Sequence, residues 1–207
     1  MSKIACELIS WDRFYDLCNQ LADTISASTY RPDLIIAIGR GGWVPGRVLS
    51  DMLDQFNLTS IKIEHYQETQ HHQAAQVRYP LTADIDDKRV LILDDLCDSG
   101  DTFEVAVQHV LSRGTPLEVK TASLLYKQVS SFVPDFYVEK LLEWRWITFP
   151  WAVVEDITGL LQRVSIVPET ERELVETLAS EYAIELTSHS AAAVWSAIQR
   201  KQHLGSE

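Results

Sequence analysis

From Val90 to Thr102 the chain reads VLILDDLCDSGDT. Four consecutive apolar residues, Val90 to Leu93, suit a strand covered on both faces, the kind found inside parallel sheets with helices on either side. The strand runs directly into two adjacent carboxylates, Asp94 and Asp95, and then into a third acid, Asp98, followed by Ser99, Gly100, Asp101 and Thr102. So much charge and turn chemistry at the mouth of a buried strand restricts both the fold and its use.

The flanking sequence repeats the strand and helix alternation. Phe14, Leu17, Cys18, Leu21 and Ile25 recur at helical spacing between Trp11 and Ile25. DLIIAIG, from Asp33 to Gly39, reads as a second buried strand, and a helix is predicted from Trp43 to Leu53. LTSIKIEHY alternates as a strand does, whereas the polar stretch from Gln67 to Asp87 has no period and is predicted to be a long functional loop. KRVLILDD and EVKTASLLYK are strands, with a helix from Thr102 to Ser112 between them and Gly114 as its stop. DFYVEKLLEWRWITFPW holds short strand-like pieces, and two helical patterns follow Glu169. This alternation predicts an α/β fold: a doubly wound parallel sheet with a C-terminal helical extension. The expected division is 1–156 for the sheet domain and 157–207 for the extension.

Composition narrows the partners. A length of 207 residues and 46% hydrophobic content support a substantial core. The net charge of −12 argues against nucleic acid or an anionic membrane as a partner. The early charges of MSKIACELISWDRFYDL do not suit a signal peptide, and no apolar run nears the ~18 residues of a membrane span. Cys6, Cys18 and Cys97 lack metal-like or disulfide-like spacing, so a reducing cytoplasmic location is expected, with Cys97 in a structural role.

In an open parallel sheet, ligands bind beyond the carboxyl ends of the strands, where Asp94 and Asp95 fall. Their mutual repulsion costs stability unless hydroxyl donors, a divalent cation or both use them. Beyond them, Ser99 and Thr102 offer hydroxyls, Gly100 permits a tight turn, and the amides of a helix N-terminus make an anion cradle. A helix cap alone would explain the hydroxyls but not the acidic pair. Acids for a diol beside amides for a phosphate describe a ribose 5-phosphate socket. IAIGRGGWVPGR adds a glycine-rich turn at the end of the earlier strand, with Arg40 able to fork onto an oxyanion.

VLILDDLCDSGDT closely resembles the phosphoribosyl pyrophosphate (PRPP) signature of type I phosphoribosyltransferases. SLLYK followed by WRWITFPW resembles the purine branch, the prokaryotic xanthine-guanine and hypoxanthine enzymes. The resemblance runs from about Asp33 to Trp151 and implies the family's fold with a small hood and base-binding region. It further implies transfer of a 5-phosphoribosyl group from PRPP to N9 of a 6-oxopurine, releasing pyrophosphate and a purine mononucleotide, as in purine salvage.

The roles carried over are these. Asp94 and Asp95 would bind the ribose hydroxyls with Mg²⁺ nearby; Ser99, Gly100, Asp101 and Thr102 would hold the 5-phosphate. Arg40 and Gly41 would form the pyrophosphate loop, with a non-proline cis peptide expected between Gly39 and Arg40. Asp98 would be the general base or proton relay at N7. Lys127 would donate to the 6-oxo group, Trp146 would stack on the base, and Ile147 would meet its edge. The segment between Tyr66 and Asp84 corresponds to the hood; His65 beside it and His71 and His72 within it make a poor metal signature.

One departure stands out: Ala152 follows Pro-Trp where relatives often carry an acid for the metal end, leaving Glu155 or Asp156 as the substitute. A homodimer or larger homo-oligomer is implied. Two rivals are weighed. A PRPP-sensing regulator without turnover would need a partner surface that the acidic charge does not supply. A response-regulator receiver domain would place its acidic pair on the first strand.

Overall fold

The computed structural model describes residues 5–69, 72–163 and 167–204. In chain order the first half contains β1 (Cys6–Leu8), α1 (Trp11–Ala27), β2 (Leu34–Gly39), α2 (Trp43–Met52), β3 (Leu58–Thr69), β4 (His72–Tyr79) and β5 (Arg89–Cys97). Then come α3 (Asp101–Leu111), β6 (Glu118–Lys127), β7 (Phe136–Leu141), β8 (Trp146–Thr148), α4 (Val153–Arg163), α5 (Glu171–Tyr182) and α6 (Ser188–Leu204). Two compact units share these elements: Tyr15–Trp144 is one, and Met1–Phe14 with Arg145–Glu207 is the other.

The larger unit is built on a six-stranded sheet of order β4-β3-β2-β5-β6-β7. All neighbours are parallel except β3 and β4. From β2 the chain winds one way through β3 and β4, and from β5 the other way through β6 and β7, so the winding reverses between β2 and β5. Such a reversal opens a crevice at the carboxyl ends of the two central strands. The apolar runs behave as their lack of period predicts: β2 is buried throughout, and Val90, Leu91, Ile92 and Leu93 are all 0% exposed. Phe103, Ala106 and Val110 of α3 pack into the same core as Ile36, Ile38 and Ile92. Each Phe, Val or Ile among them contributes about 1.5 to 3 kcal/mol by leaving water.

The long loop expected from Gln67 to Asp87 is instead largely an antiparallel hairpin arm. β3 continues to Thr69 and β4 pairs back on it, for example Ile63 with Val77 and His65 with Ala75. Ala75 and Val77, two apart and therefore on one face, pack against the core. Their two small side chains among glutamines hid the alternation.

In the smaller unit β1 and β8 form a two-stranded parallel sheet, Cys6 facing Trp146 and Glu7 facing Ile147. Neither β1, three residues long, nor α4 was expected. α4 buries Ile157, Leu160 and Leu161 with Leu174 and Leu178 of α5 and Val194 and Ile198 of α6. Gly159 lies within α4 and disguised its helical spacing. The division expected at 156/157 falls inside that helix. Thr170 caps α5, accepting from the Glu173 backbone N at 3.1 Å, while Glu173 accepts from Glu169 N at 2.8 Å. Phe149 and Trp151 stack at 4.9 Å, and Phe14 meets Trp151 edge-on at 4.8 Å, so Trp151 is a packing aromatic.

Candidate active site

The winding reversal brings the glycine-rich turn after β2 against the acids of β5. A β-carbon added to Gly41 would lie 2.5 Å from Asp95 Oδ1 and 2.7 Å from Asp94 Oδ1. Glycine at 41 is therefore what permits this approach. The Gly39–Arg40 peptide is cis, as expected. Gly42 donates its backbone N–H to Ile38 O at 2.8 Å, starting the turn into α2, and Arg40 is exposed.

Asp94 and Asp95 are half-buried, and the Asp95 backbone N–H donates to Asp94 Oδ1 at 3.0 Å. Burial first, and the charge of Asp95 second, push the Asp94 carboxyl well above the usual carboxylate range. Such a pair suits a divalent cation and hydroxyl donors, both of which relieve the repulsion. Hard oxygen ligands are also what Mg²⁺ prefers, so the two acids fit that ion. Among the described residues no group of three His, Cys, Asp or Glu side chains gathers around a metal position.

Beyond Cys97 the chain turns into α3 through Gly100, whose φ of 103° is left-handed. Its N-cap residue is Gly100, which has no side chain to cap the helix, and amides at such a helix start can serve an anion. A β-carbon on Gly100 would meet Phe132 at 2.7 Å. The segment after β6 braces the turn: Ser131 donates to Ser99 O from its backbone N at 2.9 Å and from its hydroxyl at 3.1 Å. The Cys97 thiol lies 3.3 Å from Ser130 Oγ, and burial pushes it up to about 11. Both the burial and the raised value disfavour the thiolate that a nucleophilic cysteine needs. Ser99 Oγ donates to Asp101 Oδ2 at 3.0 Å, and Thr102 Oγ1 sits 3.2 Å from His65 Nε2 on β3. His71 and the side chain of His72 lie outside the described residues.

At the end of β6, Lys127 is 2% exposed. Its ammonium donates to Asp98 Oδ2 at 2.7 Å and lies 4.6 Å from the centre of the Trp144 ring. Burying an ammonium is costly without such partners. Sequence reasoning placed Lys127 and Asp98 in the site but missed their pairing, the cover by Trp144, and the link from His65 to Thr102. Each joins residues far apart in the chain, so no local pattern announces it.

Trp146 and Ile147 belong to β8 in the smaller unit, where the Trp146 backbone N donates to Ala5 O at 2.8 Å and Ile147 is 7% exposed. Asp156 is in the first turn of α4, its backbone N donating to Ala152 O at 2.9 Å. Its charge, after burial, helps push the Cys6 thiol upward.

An acid pair and a glycine turn into a helix at the reversal point of the sheet define an α/β protein with a ligand crevice at its strand ends. Residues 7–157 match the phosphoribosyl transferase domain family, and the chain belongs to it. It is 29% identical over 144 residues to a xanthine-guanine phosphoribosyltransferase of Idiomarina loihiensis, covering 69% of this chain and 84% of that protein. To the enzyme of that name from Vibrio atlanticus it is 30% identical over 145 residues, covering 70% and 87%. The crystal structure of a purine phosphoribosyltransferase from Pyrococcus horikoshii superposes with a TM-score of 0.63 at 34% identity, covering 70% of this chain and 93% of that one.

Proposed function

We propose that the protein is a purine phosphoribosyltransferase that moves the 5-phosphoribosyl group of PRPP to N9 of a 6-oxopurine, an activity of purine salvage. The observation that carries this reading is the contact of the Gly41 turn with Asp94 and Asp95, one strand end from the uncapped turn at Ser99 to Thr102. The relatives named xanthine-guanine phosphoribosyltransferase support the purine branch.

In this reading Asp94 and Asp95 accept from the ribose 2- and 3-hydroxyls, which fixes the sugar. The amides and hydroxyls from Ser99 to Thr102 hold the 5-phosphate, and Arg40 with the Gly41 backbone meets the pyrophosphate. The bond from C1 of the ribose to the pyrophosphate oxygen breaks, the bond from C1 to N9 forms, and the purine proton passes to Asp98. Lys127 engages Asp98 Oδ2, which leaves Oδ1 to accept at N7, and its remaining N–H donors suit a 6-oxo group. A 6-amino group could not accept there. Mg²⁺ held by Asp94 and Asp95 would offset the charge of the leaving pyrophosphate. The roles of Trp146, Ile147 and Asp156 rest on the resemblance alone.

Radiolabelled guanine, hypoxanthine, xanthine and adenine, each with PRPP and Mg²⁺, test the proposal. Mononucleotide is expected from 6-oxopurines and not from adenine; PRPP binding without nucleotide from any base overturns it. Gel filtration tests the expected homodimer or larger assembly, and cell fractionation tests the cytoplasmic location. No described helix is long and apolar enough to cross a membrane.

A further inference from the structure

The turn proposed to hold the 5-phosphate must do so without a cation of its own. From Asp98 to Thr102 it carries two carboxylates and no cationic side chain, in a chain of net charge −12. Its donors must therefore be aimed well, because the surrounding field does not favour a phosphate. Lys127 reaches Asp98 and the Ser131 hydroxyl reaches Ser99 O, while at the far end of the turn His65, exposed on β3, stands with Nε2 3.2 Å from Thr102 Oγ1. The segment just after β4 is tied to the other end of α3, where Leu81 N donates to His109 Nε2 at 2.9 Å. Both ends of α3 are thus held against that part of the chain, and the end nearest the turn is held through His65.

We infer that His65 is a positioning residue for the 5-phosphate: its Nε2–H donates to Thr102 Oγ1 and so directs the threonine hydroxyl hydrogen at the phosphate. A hydroxyl has one hydrogen and two acceptor lone pairs. Occupying an acceptor site with an imidazole N–H leaves the hydrogen no competing use in that contact, whereas an imidazole accepting from Thr102 would withdraw the hydrogen from the ligand. The inference rests on the phosphate turn proposed above. It adds a residue from the β3–β4 arm to a site otherwise built from β5, α3 and the loop after β6.

Steady-state kinetics of His65→Ala and His65→Gln, with calorimetry of guanosine monophosphate binding, test it. His65→Ala should raise KM for PRPP and Kd for the mononucleotide about five- to tenfold, the equivalent of one hydrogen bond. KM for guanine and kcat at saturating PRPP should not change. His65→Gln, which keeps an N–H donor, should recover most of the loss, and His65→Ala should add nothing in a Thr102→Val background. Nitrogen-15 NMR of the wild-type ring should show the hydrogen on Nε2. An unchanged KM for PRPP, a parallel fall in kcat, or additivity with Thr102→Val overturns the role of His65 while leaving the phosphate turn intact. A wild type that binds neither PRPP nor guanosine monophosphate overturns both.

Discussion

Lys127 Nζ stands 2.7 Å from Asp98 Oδ2, joining a lysine that is 2% exposed to a carboxylate whose side chain is 51% exposed. The acid thus neutralises a buried ammonium and, under the proposed function, also faces the substrate. Replacing Asp98 with Asn should lower kcat about 100-fold or more with little change in KM for PRPP. It should also lower stability by about 1 to 3 kcal/mol, because the ammonium loses its counter-charge. Adding Lys127→Met should restore the melting temperature but not turnover. Turnover of Asp98→Asn at the wild-type rate would remove the proton role.

Asp94 should show the opposite trade. Burial and Asp95 raise its carboxyl above the unfolded value, so the native state binds more protons than the unfolded chain. Stability attached to this group is present in acid and declines as pH rises from about 4 through the raised native value. Asp94→Asn should therefore melt above wild type near neutral pH, with the gap closing towards pH ~4, while PRPP affinity falls about tenfold or more. Melting curves across that pH range and calorimetry with PRPP check the two signs separately.

Gly41→Ala should damage the site more than the fold. Its β-carbon would fall 2.5 Å from Asp95 Oδ1 and 2.7 Å from Asp94 Oδ1, so the turn and the acids must part. A rise in KM for PRPP of about tenfold or more is expected, with base KM little altered.

Gly100→Ala should act mainly on stability. A φ of 103° and a β-carbon 2.7 Å from Phe132 together cost about 1 to 3 kcal/mol, read by urea denaturation.

At the opposite end of the sheet, Asp33 accepts from Arg89 Nε and Nη2 and from the Arg89 backbone N, each at 2.9 Å. Those bonds hold its carboxyl down to about 2. A depressed native value means that its stabilisation is present above pH ~4 and is lost as pH falls towards about 2. Asp33→Asn should lower the melting temperature at neutral pH and match wild type at pH ~2, with PRPP affinity untouched.

The parts of the fold legible in the sequence are those in which one local signal decides. The unbroken apolar runs of β2 and β5 announced buried parallel strands, and Leu17, Leu21 and Ile25 announced α1. The phosphate role proposed for the turn from Ser99 to Thr102 came from the family resemblance. β4 escaped because its core-facing side chains are Ala75 and Val77 set among polar residues, too small a contrast to mark a period. β1 escaped because three residues carry no period and gain their strand form by pairing with β8, some 140 positions away in the chain. The same holds for the candidate site. Acidic and hydroxyl residues close in sequence were visible together, whereas Trp144 over Lys127 and His65 beside Thr102 depend on how distant segments meet.

The parallel pairing of β1 with β8 gives the start of the chain influence over residues it never touches in sequence. Cys6 to Leu8 hold Trp146 to Thr148 in register, and among the described residues no other strand pairs with that short segment. A truncation or a bulky fusion at Ala5 would set Trp146 and Ile147 loose while sparing the acid pair and the phosphate turn. Preparations differing merely in their leading residues would then differ in how firmly Trp146 and Ile147 are held.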